Sequence, residues 1–149
     1  MKIVNKTVNR EYTILETYEA GFALTGAEVK AVRAGRMKLE GAYVKIIGME
    51  LFLVNADIAA YEFARPDNYD VRRTRKLLLH KKEIIRLKTK LDSGSNLTIV
   101  PIACYNTHSY LKLEIGLAKA KKTWEKKSVE KEKAEKRRVE KEIKEQMKY

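Results

Sequence analysis

Two histidines, His80 and His108, and one cysteine, Cys104, are too few for a typical structural zinc site. His80 falls at a predicted helix start and His108 in a predicted turn, positions that suit surface or capping roles. Lone carboxylates such as Glu19 and Glu28 have ready structural uses, and no glycine-rich phosphate loop or nucleophile elbow is present. The sequence therefore points away from an enzyme and implies no catalytic residue, metal or cofactor. Cationic chemistry is abundant instead. Residues 72–90 hold nine Lys or Arg against the single acid Glu83, net +8, around the apolar run Leu77-Leu78-Leu79. That exceeds what solubility requires and suits a phosphate-bearing partner, with counterion release making affinity fall steeply with salt.

The whole chain repeats the bias. A net charge of +12 over 149 residues attracts a polyanion, nucleic acid before an anionic membrane surface. No apolar run approaches the roughly 18 residues that suggest a membrane span. The start, "MKIVNKTVNREY", lacks the apolar stretch of a secretory signal. A lone cysteine permits no intrachain disulfide and fits a reducing, cytoplasmic location.

The elements that must position this charge are mostly strands. "EYTILETY" is rich in β-branched and aromatic residues and predicts a strand. "TGAEVKAVRAG" predicts a short helix, with Thr25 and Glu28 at capping-box spacing and Gly35 placed to end it. "AYVKII" and "ELFLVNADIAAY" form a hairpin across Gly48-Met49, "ARPDNYD" a loop, and "NLTIVPIACY" and "SYLKLEIGLA" a second hairpin. A helix is predicted from about Leu79, where Ile84, Leu87 and Leu91 recur at helical spacing and Gly94 closes it. The expected fold is mainly β with two short helices (α+β), its five or six strands closed into an OB-type barrel that hides strand edges. Residues 1–10 are a flexible lead, 11–118 the core, and 119–149 a basic tail with 13 Lys or Arg and 7 acids.

Four stretches, in order, carry a resemblance: "YEAGFALTGAEVKAVRAG", "RTRKLLLHKKEI", "LTIVPIACY" and "IGLAKAKK". Together they closely resemble the SsrA-binding protein family, partners of transfer-messenger RNA (tmRNA) in bacterial ribosome rescue. The resemblance implies an OB-fold that binds the tRNA-like domain of that RNA. It also implies a tail that enters the decoding site and mRNA path of the small ribosomal subunit, the protein acting as a monomer bound to RNA. Four positions depart from the family pattern: Arg10 replaces a histidine, Val71 a proline and Ala120 a glycine, and Trp124-Glu125-Lys126-Lys127 replaces an aromatic-Asp-Lys-Arg run.

Residue by residue, the resemblance places Glu19 and Gly21 on an RNA-facing turn, and Asn5, Lys6, Arg10 and Tyr12 near the RNA elbow. Leu78 and Lys112 also map to RNA contacts; for Leu78, core packing is the competing role, although strand alternation would point it opposite to Leu77 and Leu79. Arg73, Arg75 and Lys76 form the expected RNA-facing group, joined by Lys30, Arg33 and His80. In the tail, Lys119, Lys121, Lys122, Trp124, Glu125, Lys126 and Lys127 would meet ribosomal RNA, with Trp124 stacked on a base. Rival readings are a generic OB-fold translation or ribosomal protein, or a helix-mediated interaction protein. The tail's apolar residues do not sustain the heptads that the last would use.

Pairs such as Glu132–Lys136 and Glu140–Lys144 favour helix by only about 0.2–0.5 kcal/mol each, and Val139, Ile143 and Met147 form a thin stripe. The tail is therefore expected to be disordered or marginally helical when free and to fold on binding. Circular dichroism of the full chain against a truncation after Ala118 should show little extra cooperative helix. A complete, cooperatively melting tail helix in dilute buffer would contradict this.

Overall fold

The computed structural model describes residues 1–61, 68–94 and 96–146, the side chains of 123–126, 128, 129 and 146 excepted. The chain runs β1 (Lys2–Val4), α1 (Val8–Glu11), β2 (Tyr12–Phe22), α2 (Gly26–Arg33), β3 (Met37–Lys38), β4 (Tyr43–Ile47), β5 (Glu50–Val54) and β6 (Asp57–Ile58). It continues through β7 (Arg75–Leu78), α3 (Lys81–Ser93), β8 (Leu97–Thr107), β9 (Tyr110–Ala120) and α4 (Thr123–Gln146). No described helix is long and apolar enough to cross a membrane.

The main sheet has the order β1-β8-β4-β5-β7-β2-β9, and β8 also pairs with β9. That extra ladder closes β8, β4, β5, β7, β2 and β9 into a six-membered ring, which removes most free edges, as the OB-like reading requires. The two expected hairpins are present, Gly48 taking the positive φ of the first turn and His108 that of the second. Alternation fills the interior: Leu111, Leu113, Ile115 and Leu117 of β9 face Val44, Leu51, Leu53, Leu77 and Ile99. Helix α3 adds Ile84 and Leu87 to the same core. Buried Cys104 lies there too, and burial pushes its thiol up to about 12, so it stays a protonated packing residue.

Three details differ from the sequence expectation. Helix α3 starts at Lys81, because pairing with β5 and β2 draws residues 75–78 into a strand. The first ten residues include a strand, β1, paired along β8 from Lys2↔Tyr105 to Val4↔Ala103. Strand β9 runs to Ala120, two residues beyond the expected core boundary. Ala120 pairs with Tyr12 in extended backbone that any residue adopts, so the missing glycine costs nothing there. Of the expected loop "ARPDNYD", residues 64–67 lie outside the described residues.

Asn5 is buried and structural, correcting its assignment as an RNA contact. Strand β8 bulges between Pro101 and Ala103, which leaves carbonyls needing donors. The Asn5 backbone N–H donates to the Ile102 carbonyl at 2.8 Å, and its Nδ2 donates to the Pro101 carbonyl at 2.9 Å. Its Oδ1 accepts from the Thr7 backbone at 3.3 Å.

Arg75 is likewise corrected. It is 0% exposed, because alternation in β7 turns Arg75 and Leu77 inward and Lys76 and Leu78 outward. Its Nε donates to Glu28 Oε2 at 2.7 Å, Nη1 to the Ala56 carbonyl at 2.8 Å, and Nη2 to the Val71 carbonyl at 3.0 Å and the Tyr69 hydroxyl at 3.2 Å. Glu28 itself closes the expected capping box, accepting from the Thr25 N–H at 3.1 Å while its own N–H donates to Thr25 Oγ1 at 3.2 Å. Arg73 donates to its other oxygen. One carboxylate thus ties α2 to β7 and to the segment leading into it.

Burial would raise the Glu28 pKa, but hydrogen bonds from Arg73, the Thr25 backbone and Arg75 outweigh it and hold the group at about 2, below the ordinary 4.5. A depressed carboxylate contributes stability above its unfolded pKa that is lost as pH falls through the folded one. Thermal midpoints should therefore drop between about pH 4.5 and 2, and the drop should be smaller in Glu28→Gln. Glu28→Ala at neutral pH should cost about 3–5 kcal/mol in denaturant unfolding, because it strands a buried guanidinium.

Candidate nucleic-acid interface

With Arg75 and Leu77 turned in, the outer face of the sheet is set by their neighbours. Strand register aligns five residues across five strands: Leu78 on β7 opposite Gly21 on β2, Gly21 opposite Lys112 on β9, Lys112 opposite Tyr105 on β8, and Tyr105 opposite Lys2 on β1. Paired residues share a face, so this is one continuous rung. Glu19 and Glu114 stand opposite one another two residues along the same face.

Leu78 is 53% exposed, so it is surface, and its half-buried neighbour Leu79 packs on the core as expected. Leu78 lies against Gly21, where an added Cβ would meet Leu78 Cβ at 3.4 Å, an ordinary contact distance. An exposed leucine flanked by cations offers an apolar surface for a sugar or base between phosphate-binding groups. The Tyr105 hydroxyl donates to Glu19 Oε2. Burial and this hydrogen bond push the tyrosine up to about 12, so it remains a donor at neutral pH. Tyr105 and Lys2 were absent from the sequence reading. The signal was available, since pairing Thr107 with Tyr110 across the turn and counting back sets Tyr105 beside Lys112.

The dense basic segment is less free than its count implies. Arg72 pairs with Asp57 at 2.9 Å, Lys76 with Glu50 at 3.2 Å, Arg73 and Arg75 with Glu28, and Lys90 with Glu16. Lys76 and its partner are both about half exposed, so that pair is weak and easily exchanged for a phosphate. Exposed Lys81, Lys82, Arg86 and Lys88 lie on α3, behind exposed His80 at its N-cap. On α2, Lys30 sits 5.5 Å over the Tyr61 ring and Arg33 Nη2 donates to the Ser109 carbonyl at 2.8 Å. That clip fixes α2 at the turn joining β8 to β9.

A second cluster forms where α1 meets the tail. Val8, Val100 and Ala118 are buried together, with half-buried Tyr12 and Ile14 packed on them. Tyr12 is therefore largely a packing residue. Arg10 Nε lies 2.6 Å from Glu130 Oε1 on α4. The Lys121 N–H donates to the Glu11 carbonyl at 2.8 Å and its Nζ to the Asn9 carbonyl at 2.6 Å. Lys6, Lys119, Lys122 and Lys127 are exposed. The Trp124, Glu125 and Lys126 side chains, assigned to the ribosome from sequence, lie outside those described. The candidate interface thus has two parts, the rung and the root of α4.

A family model described as "SmpB protein" matches residues 2–145. An "SsrA-binding protein" of Thermus thermophilus is 47% identical over 124 residues, covering 83% of this chain and 85% of the relative. One of Enterococcus hirae is 45% identical over 123 residues, covering 83% and 79%. A solved chain described as "tmRNA-SmpB: a journey to the center of the bacterial ribosome" superposes with a TM-score of 0.67 at 46% identity, covering 82% of this chain and 85% of that one. Matched along nearly its whole described length, the chain belongs to the SmpB protein family.

Proposed function

We propose that this chain is an RNA-binding adaptor of trans-translation. It holds the tRNA-like domain of tmRNA on the five-strand rung and brings it to stalled ribosomes, where the tail enters the decoding site and mRNA path. The observation that carries this reading is the outward row Leu78, Gly21, Lys112 beside Glu19, the residues that the family resemblance singled out, gathered on one face from three strands. Its relatives' names, SsrA-binding protein, and the solved tmRNA-SmpB structure support the partner.

The division of labour is physical. Lys112 and the weakly paired Lys76 neutralise phosphate, and Leu78 covers an apolar surface of a nucleotide. Glu19 cannot contact phosphate favourably, so it selects for base or sugar donors. The root of α4, with Lys119 and Lys121, is the ribosome-facing part, and Lys6, Arg10, Lys30, Arg33, Arg73 and His80 lie outside the rung as secondary contacts of the tRNA-like domain. The protein performs no bond chemistry; its product is a correctly shaped complex, assembled in the cytoplasm.

Competition binding at stated salt should favour a tRNA-like domain with a reduced anticodon arm over full tRNA and over an unrelated hairpin. Equal binding to all three would overturn the reading. Glu19→Arg should abolish the preference while the thermal midpoint holds. Truncation after Lys122, which removes α4 and spares β9, should retain RNA binding and lose peptide tagging in a ribosome assay.

A further inference from the structure

Tyr105 lies two strands from Glu19, with β9 between them. Its register partner is Lys112, whereas that of Glu19 is Glu114. To donate to Glu19 Oε2, the tyrosine ring must cross the outer face of β9 diagonally. Adjacent strands are about 4.8 Å apart, so the span is about two strand spacings, bridged by a ring from one side and a carboxylate from the other. The ring is only partly exposed while Glu19 is exposed. Its hydroxyl also feels the charge of Glu114, which stands directly opposite Glu19. Like charges at paired strand positions repel, and a donor delivered to one of them fixes which way that carboxylate turns.

We infer that Tyr105 is the positioning residue of the RNA face: its hydroxyl holds one Glu19 oxygen and leaves the other to accept from RNA donors. An unheld glutamate on an exposed strand samples several rotamers, and its charge then repels phosphate in every register. A held glutamate presents acceptor lone pairs at one place, so that only an RNA with donors there binds without leaving a desolvated carboxylate unpaired. Tyr105 therefore acts on specificity through Glu19 and adds no charge of its own.

This inference rests on the proposed RNA-binding role, and the test separates the two. Affinities for the tRNA-like domain and for an unrelated hairpin are measured for wild type, Tyr105→Phe, Glu19→Ala and the double variant, with thermal midpoints and salt slopes. Tyr105→Phe should lower the affinity ratio of the two RNAs about tenfold, the scale of a lost hydrogen bond to a charged group. Its thermal midpoint and salt slope should match wild type, since the fold and the phosphate contacts persist. In the Glu19→Ala background the same change should have no effect. An unchanged ratio, or an equal loss with Glu19 removed, overturns the positioning role. A wild type without preference overturns the RNA-binding reading itself.

Discussion

The buried contact between Glu28 and Arg75 organises the outer face of the sheet without belonging to it. Glu28 ends a capping box on α2 and, with its remaining lone pairs, holds two guanidiniums, Arg73 from the approach to β7 and Arg75 from the strand itself. Arg75 spreads its other donors over the Ala56 and Val71 carbonyls and the Tyr69 hydroxyl. Each is buried, so each would be costly alone, and together they fix the inward phase of β7. Once Arg75 points in, Leu77 follows, and Lys76 and Leu78 must point out. The exposure of one leucine on a cationic surface thus follows from an ion pair behind it.

Much of this was legible in the sequence. The capping box, both hairpins and the helix end at Gly35 appear where their residue types require them, because each is a local device with few alternatives. Leu78 was also legible, since alternation alone opposes it to Leu77. The same alternation, applied one residue further, would have removed Arg75 from the RNA-facing group. Charge counting concealed it, because a buried arginine is uncommon and its partner Glu28 lies 47 residues away in sequence. Asn5 failed for a similar reason: the carbonyls it satisfies come from a bulge in β8, which no local pattern announces. Tyr105 was within reach through hairpin register but carries no charge to attract attention.

An ion pair and hydrogen bonds to α1 join the tail to the barrel. Arg10 to Glu130 and Lys121 to the Asn9 and Glu11 carbonyls tie the root of α4 to α1, while Val139 and Ile143 are half exposed farther along. Among the described residues, the contacts that hold this helix lie at its root. Its direction is set by the barrel, and its stability is left to whatever surrounds it.

In the six-strand ring β4 lies diametrically opposite β2, so its exposed outer residues Tyr43, Lys45 and Ile47 form a control face. The most direct measurement is amide chemical-shift mapping of the labelled full chain on addition of the tRNA-like domain. The largest perturbations should cluster at Glu19, Gly21, Leu78, Tyr105 and Lys112, with β4 unaffected. Perturbations centred on β4, or spread evenly over every basic surface, would contradict it.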